Sequence, residues 1–295
     1  MQEDIRIGLV QLEAKVGETR KNLKQILHWT EKASKQGVKM LCFPESALHG
    51  YSPKDALEIG NTIDSQEIRE LKECASDLDL ILLVGMVEKT ERGQKPYLSQ
   101  IIIYPNRDPA VYRKVHLGRS EKAYFMPGSE FPVFEAKGVR FAVGICWDWH
   151  FPEMATIYSL KGAELLFAPH ASPVVAGDRK EIWKRYLGTR AYDNSVYLAA
   201  CNLVGANNRG QEFSGGALVF GPKGETIAES FNTAESLDNQ DNHEQLITLE
   251  ISAQRINNLR NTERVSMKDS FFLADRQKEL YREIIELDVF RGNRT

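Results

Sequence analysis

Cysteine is scarce in this chain of 295 residues. Its four cysteines form no Cys-x-x-Cys pair and lack the cysteine–histidine spacing of a zinc site; they are Cys42, Cys74, Cys146 and Cys201. Disulfide frameworks and structural zinc sites depend on such spacings. The sequence therefore predicts free thiols, with neither a disulfide framework nor a zinc site.

Charge of one sign and long apolar runs are also missing. The formal net charge is only −3, which gives no electrostatic reason to expect nucleic acid or an anionic membrane as a partner. No apolar run approaches the length of a membrane span, and the opening MQEDIRIGLVQ is charged where a signal peptide is apolar. We therefore expect a cytoplasmic protein that binds neither nucleic acid nor membrane.

Apolar runs of strand length recur along the whole chain. Nine of them are predicted strands, at 5–12, 39–45, 80–88, 99–105, 139–146, 164–169, 196–202, 215–222 and 245–252. Most are almost continuously apolar, which is typical of strands covered on both faces. Helical patterns occupy 19–37, 64–78, 152–161 and 179–193, and the second opens on an acidic capping box formed by Asp64 and Glu67. This alternation predicts an α/β fold, in which the turn-rich stretch after residue 196 adds antiparallel strands.

Nothing in the sequence marks a domain boundary. The polar segment 229–245 is predicted to be a surface excursion, so residues 1–295 are predicted to form a single domain. The last segment, about 255–295, has a helical pattern but no sheet partner. We expect it to pack at a subunit interface in a homodimer or larger homo-oligomer.

Three polar residues lie near the ends of predicted strands. Glu45 closes KMLCFPE, Cys146 closes VRFAVGIC, and Lys114 lies in VYRKVHL after a predicted hairpin. Active sites of open α/β sheets collect beyond the carboxyl ends of strands. A carboxylate base, a thiol nucleophile and an ammonium that holds developing negative charge are sufficient for acyl transfer. Taken singly, each residue also has an ordinary interpretation, as a core cysteine or as a solvated charge.

The segments around these residues resemble the signature blocks of the nitrilase superfamily of carbon–nitrogen hydrolases. The blocks are FPES followed by HGY, then YRKVHL, then GICWDWHFPE, and they occur in the family's order with similar flanking pieces along essentially the whole chain. The resemblance implies a four-layer αββα sandwich, hydrolysis of a non-peptide C–N bond without metal or organic cofactor, and a Glu45–Lys114–Cys146 triad. It also implies that Glu121, in RSEKAYFMPG, positions substrate or water, and that Trp147 contributes its backbone N–H to the oxyanion site.

The substrate is less constrained than the chemistry. Cys-Trp-Asp followed by FPE resembles the N-carbamoyl-amine hydrolases, whereas nitrile-cleaving members have Cys-Trp-Glu, so an amide or N-carbamoyl group is favoured over a nitrile. Tyr51 and His170 are candidate pocket residues, although Tyr51 would serve equally for packing and His170 as a loop hydrogen-bonder. Arg179 and Lys180 would suit a carboxylate-bearing substrate if they pointed inward, but the solvated face of a helix is the favoured interpretation.

The sequence is compatible with three other functions. A cysteine protease would pair Cys146 with His116, His150 or His170 and would depend on pH near the pKa of imidazole. A non-catalytic regulator on a hydrolase scaffold usually lacks a triad residue, and this sequence retains all three. An acyltransferase would pass the same thioester to an amine instead of to water.

Overall fold

Two six-stranded sheets form the centre of the protein. A computed structural model describes residues 1–90, 94–231, 244–261 and 271–286. The first sheet contains, in spatial order, β14 (Gln245–Ile251), β1 (Ile5–Gln11), β2 (Met40–Cys42), β3 (Ile81–Glu88), β4 (Tyr97–Ile103) and β5 (Ala110–Arg113). The second contains β13 (Thr226–Ser230), β12 (Ala217–Phe220), β9 (Tyr197–Asn202), β8 (Leu165–His170), β7 (Val139–Val143) and β6 (Phe134–Ala136). A separate ribbon pairs β10 (Val204–Ala206) with β11 (Glu212–Ser214).

Each sheet is parallel at its centre and antiparallel at its edges. Strands β1, β2 and β3 run parallel to one another, and so do β7, β8 and β9. The predicted antiparallel pairing after residue 196 is confirmed, because β12 runs antiparallel to both β9 and β13. Strand β14 pairs antiparallel with β1, from Ile5 opposite Ile251 to Gln11 opposite Gln245. The last strand among the described residues therefore completes the sheet that the first strand begins.

Helices cover the outer face of each sheet. On the first sheet these are α1 (Thr19–Lys35) and α3 (Gln66–Asp77), with the short α2 (Ala56–Ile59) preceding α3; on the second they are α4 (Pro152–Leu160) and α5 (Arg179–Asn194). The inner faces of the sheets meet directly, since Sγ of Cys42 on β2 lies 4.0 Å from Sγ of Cys201 on β9. The predicted four-layer αββα sandwich is confirmed.

The helices begin and end largely where their sequence patterns predict. The buried stripe of α1 includes Leu23, Ile26, Thr30 and Ala33, and Gly37 takes a left-handed φ of 75° just past its end. Pro152 occupies the first position of α4.

The acidic capping box predicted at the start of α3 is wrong. The N-cap is Ser65, without a side-chain capping bond. Asp64 accepts a hydrogen bond from the Thr62 hydroxyl, and Glu67 accepts one from Asn61 Nδ2 at 2.8 Å. Both carboxylates are therefore held by the preceding turn and not by the helix's free N–H groups.

The chain after β14 adds a small helical layer. Helix α6 (Ala253–Asn261) buries Ala253, Ile256 and Leu259, and 3-10 turns at Phe272–Asp275 and Lys278–Arg282 precede the short helix α7 (Glu283–Glu286). Most of the predicted polar excursion at 229–245, and parts of the segment predicted to lie at a subunit interface, fall outside the described residues. Among the helices that are described, none has the length and apolarity needed to cross a bilayer.

Candidate active site

Four of the predicted site residues belong to one region, contributed by both sheets. Glu45 follows β2, Lys114 follows β5, Glu121 lies in the turn beyond Lys114, and Cys146 follows β7 of the second sheet. Glu45 and Lys114 are each 1% exposed and Glu121 is 3% exposed. Three charged side chains removed from water at one place are costly unless they pair.

Lys114 joins the two carboxylates. Its Nζ donates to Oε1 of Glu45 and to Oε1 of Glu121, both at 2.8 Å. The other carboxylate oxygen of Glu45 accepts the backbone N–H of Ala171, just after β8, at 2.9 Å. Glu45 thus bridges the two sheets and has a fixed orientation.

Glu121 is held on both of its oxygens. Oε1 also accepts the hydroxyl of Tyr51 at 2.8 Å, and Oε2 accepts the backbone N–H of Gly118 at 2.7 Å. Tyr51 itself is buried, with its ring edge-on to Phe213. The hydroxyl of this predicted pocket residue therefore reaches the site through Glu121.

Burial and neighbouring charges set the protonation states of this cluster. Burial raises the pKa of Glu45 to about 7; Lys114 opposes the rise and Glu121 adds to it. Burial alone would lower the pKa of Lys114, but Glu45 and Glu121 outweigh it and raise that pKa well above its usual value. Lys114 therefore stays cationic, whereas Glu45 can accept and return a proton near neutral pH.

Cys146 begins a tight turn in a conformation that few non-glycine residues adopt. Its φ is 48°, at the first residue of a 3-10 helix that ends at His150. Such a backbone costs about 1–3 kcal/mol and persists only where its surroundings impose it. Asp148 imposes it here, because its Oδ2 accepts the N–H of Ile145 at 2.8 Å and the hydroxyl of Tyr112 at 2.7 Å.

The thiol of Cys146 is neutral at rest. Burial and then the Glu45 carboxylate raise its pKa to about 12, against the lowering effects of Lys114 and of a contact with Ser172, whose Oγ lies 3.5 Å from Sγ. Lys114 lowers the pKa of this thiol, but burial and the Glu45 carboxylate outweigh its effect. Loss of the thiol proton has to accompany attack by sulfur.

An aromatic rim lies beside the cysteine. The side chain of Trp147 is exposed, its ring centroid is 4.6 Å from that of His150, and His150 stacks on Tyr186 at 4.7 Å. A cleft of about 350 Å³ next to Trp147 is mostly apolar, with Lys122 as its cationic side chain.

His170 lies behind this rim. It is buried; its Nδ1 is 2.7 Å from the carbonyl oxygen of Ala168 and its Nε2 is 3.3 Å from the hydroxyl of Tyr186. Burial lowers its pKa to about 3, so the ring is neutral. Both nitrogens thus face protein groups, in an arrangement that positions Tyr186.

Two contacts near the thiol were not predicted from the sequence. Ser172 follows β8 and makes the hydrogen-bond-range contact with Cys146 Sγ described above. Arg179 is buried, and its Nη1 lies 3.5 Å from Ser172 Oγ. The favoured sequence interpretation, a solvated helix face, is therefore wrong for Arg179. It is right for Lys180, whose Nζ pairs with Glu229 at 2.8 Å.

A histidine base for the cysteine is not evident in the part of the chain that is described. Ser172 is the hydrogen-bond partner recorded there for Sγ of Cys146. His116 instead lies 3.0 Å from Asp148 and stacks on Phe151 at 3.8 Å. Residues 1–90, 94–231, 244–261 and 271–286 also contain no group of three His, Cys, Asp or Glu side chains placed to hold a metal ion.

Comparisons with known proteins agree with this arrangement. A family model described as carbon-nitrogen hydrolase matches residues 6–261. A nitrilase from Pyrococcus abyssi is 30% identical over 247 residues, covering 79% of this chain and 87% of the relative. An N-carbamoylputrescine amidase from Arabidopsis thaliana is 33% identical over 186 residues, covering 58% and 62%.

A solved structure is similar over nearly the whole chain. It is a mutant amidase from Nesterenkonia sp. AN1 that shows covalent addition of the acetamide moiety of fluoroacetamide at the active-site cysteine. It has a TM-score of 0.79 and 26% identity, and the match covers 96% of this chain and 97% of that one. The chain described here therefore belongs to the carbon-nitrogen hydrolase family of the nitrilase superfamily and is an enzyme of that family.

Proposed function

We propose that this enzyme hydrolyses a small amide or N-carbamoyl substrate through a covalent intermediate on Cys146. The observation that carries the proposal is the buried Glu45–Lys114–Glu121 cluster, joined by two 2.8 Å bonds from one ammonium. A carboxyl with a pKa of about 7 beside a permanent cation is suited to moving a proton while negative charge develops nearby.

In the first half of the proposed cycle, Sγ of Cys146 attacks the carbonyl carbon as Glu45 takes the thiol proton. Lys114 and the backbone N–H of Trp147 stabilise the tetrahedral oxyanion. The C–N bond then breaks, and Glu45 gives its proton to the departing ammonia or amine. A thioester or thiocarbamate on Cys146 remains.

The second half uses the same base. Glu45 takes a proton from water as the water oxygen attacks the thioester carbon, and the proton returns to sulfur when the C–S bond breaks. Glu121, held by Tyr51 and Gly118, keeps Lys114 in place and positions the water. The enzyme returns to its neutral thiol.

An amide or N-carbamoyl group is proposed over a nitrile. The Cys-Trp-Asp block supports this choice, and so do the names of the Nesterenkonia amidase and of the Arabidopsis relative. The Pyrococcus relative, a nitrilase, keeps a small nitrile as the alternative substrate.

The test is ammonia release from N-carbamoyl amines, N-carbamoyl amino acids, ω-amides and nitriles. We expect turnover of an amide or N-carbamoyl class, loss of that turnover in Cys146→Ala, and near-normal turnover in the matched control Cys74→Ala, whose thiol lies on α3. Turnover that survives in Cys146→Ala would refute the nucleophile. An absence of turnover together with failure of an electrophile to label Cys146 would favour a non-catalytic regulator. Acyl transfer to an added amine, with no release of free acid when that amine is left out, would favour an acyltransferase.

The assembly is a separate proposal. We propose that residues 1–295 form one domain, that the enzyme acts in the cytoplasm, and that segment 255–295 packs at an interface in a homodimer or larger homo-oligomer. Apolar side chains exposed in that segment support the interface, since Leu280 is 74% and Ile285 87% exposed. Sedimentation that finds only a 33.5 kDa species would contradict it.

A further inference from the structure

Arg179 lies at the α5 side of the proposed active site. We infer that its guanidinium binds a carboxylate of the substrate, so that the preferred substrates are short ω-amides or N-carbamoyl compounds that end in an acid. The inference rests on the proposed function, because it assigns the substrate class of the same site.

The position of Arg179 is the first part of the argument. Ser172 Oγ lies 3.5 Å from Cys146 Sγ and 3.5 Å from Arg179 Nη1, so no more than twice that distance separates the nucleophile from the guanidinium. An electrophilic carbon has to stand about 3–3.5 Å from sulfur before attack, and a carboxylate binds a guanidinium nitrogen at about 2.8 Å. One small molecule, with roughly three to five bonds between its two groups, can satisfy both contacts.

The charge of Arg179 is the second part. The residue is 8% exposed, and among the described residues no carboxylate oxygen is recorded within ion-pair distance of its guanidinium. Its recorded contacts are neutral: Nε and Nη2 donate to the carbonyls of Gly177 and Ala176, and Nη1 faces the Ser172 hydroxyl. A guanidinium has five N–H donors, so donors remain for a ligand.

The position of Arg179 at the start of a helix makes the burial of its charge more costly. Arg179 is the first residue of α5, where the positive end of the helix dipole disfavours a cation and favours an anion. The helix end itself is already capped by Asp178, whose Oδ1 accepts the N–H of Glu181 at 3.2 Å, so the gain from a bound carboxylate would lie in its pairing with the guanidinium. An acid group on the substrate is therefore the natural counterion at this place.

The surroundings extend the positive charge along α5. Arg190 lies on the same helix, with Asp193 and Glu153 as nearby carboxylates, and the described residues offer no hydrogen-bond partner to its buried Nε. Burial, followed by Arg179 and Arg190, lowers the pKa of His150, which stacks on Tyr186 of α5. On the opposite side of the site, the carboxylates of Glu45 and Glu121 share the single ammonium of Lys114.

This polarity orients a substrate. A neutral amide or carbamoyl group fits the Glu45–Lys114 end, and an acid fits the α5 end. An N-carbamoyl amine with a distal ammonium would place its cation against Arg179 and is disfavoured.

A purely structural role for Arg179 makes a different prediction. If it only braces the turn at 174–177, its replacement should impair acidic and neutral substrates equally. The two roles therefore separate in the ratio of kcat/KM between an acid and its uncharged counterpart, which a general loss of folding does not change.

The experiment measures that ratio for two matched pairs: succinamate against butyramide, and N-carbamoyl-β-alanine against N-carbamoylpropylamine. The wild type should prefer the acid in at least one pair, and Arg179→Gln should lower the acid-to-neutral ratio by about 10- to 100-fold, the range for a lost hydrogen bond to a charged group. Arg179→Lys should restore part of the ratio. The matched control Lys180→Gln, whose side chain pairs with Glu229 at the surface, should keep it.

A second measurement does not need turnover. Succinate should slow iodoacetamide labelling of Cys146 in the wild type and in Lys180→Gln, but much less in Arg179→Gln. A preference for the neutral or cationic substrate, an equal loss within both pairs, or no protection by succinate would each overturn the inference. Failure of the proposed function has its own signature, which is hydrolysis that persists in Cys146→Ala.

Discussion

Replacing Glu121 by glutamine should shift the pH profile of the enzyme in a direction that the cluster geometry fixes. Both Glu45 and Glu121 accept a bond from Lys114 Nζ at 2.8 Å, so their Oε1 atoms are at most twice that distance apart. The negative charge of Glu121 raises the pKa of Glu45. Glu121→Gln removes this effect, so Glu45 should ionise at lower pH.

The size of the shift follows from Coulomb's law. Two unit charges about 5 Å apart interact by about 1 kcal/mol at a dielectric constant of 80 and about 3 kcal/mol at 20. At 1.36 kcal/mol per pKa unit, the pKa of Glu45 should fall by roughly one to two units from its value of about 7.

The assay is kcat/KM measured across pH. In the proposed mechanism Glu45 must be ionised, so wild-type activity should rise with pH through about 7. In Glu121→Gln the rise of kcat/KM with pH should occur one to two pH units lower. The maximum value of kcat/KM should also be smaller, because Lys114 is held less firmly. Glu58 is exposed on α2, so Glu58→Gln serves as the control, and its kcat/KM should rise with pH as in the wild type. If the rise of kcat/KM in Glu121→Gln occurs at the wild-type pH or at higher pH, the reasoning is refuted.

Three further changes test other parts of the site. Ser172→Ala removes the contact that lowers the thiol pKa, so alkylation of Cys146 at pH 8 should slow severalfold, and an unchanged rate would contradict that role. Gly85→Ala would place a Cβ 2.2 Å from the carbonyl oxygen of Pro44, behind the Glu45 loop. The free energy of unfolding in urea should therefore fall by about 2 kcal/mol or more, and an unchanged value would show that the loop moves to make room. Asp148→Asn turns an N–H donor towards groups that donate to the carboxylate, so the free energy of unfolding should fall by about 2–4 kcal/mol in the same assay.

The central strands could be predicted from sequence because they lie in almost continuously apolar runs; even β2, with three residues, is fully buried and lies within the run 39–45. The edge strands β5 and β6 could not, since they have four and three residues and are only partly buried. An edge strand is defined by its neighbour in the sheet, and the neighbour is absent from a local sequence window.

Some residues of the site could likewise be predicted from the sequence, and others could not. Glu45 and Cys146 follow apolar strands within the motifs FPES and GICWDWHFPE, so their shared location could be predicted. Ser172 lies 26 residues after Cys146 in the sequence, so a local sequence pattern does not predict its contact with the thiol. Arg179 turns inward because of the backbone path after β8. Beside Lys180, at the start of a helix, Arg179 looks like an ordinary solvated charge.

The pairing of β1 with β14 has a consequence for how the polypeptide is made. During synthesis the triad residues leave the ribosome long before Gln245–Ile251 does. The edge of β1 that pairs with β14 therefore lacks its hydrogen-bonding partner for most of translation. An open apolar strand edge is a template for intermolecular pairing. Nascent or truncated chains that end before β14 should therefore rely on chaperones and tend to aggregate, although they already carry every residue of the proposed catalytic cluster.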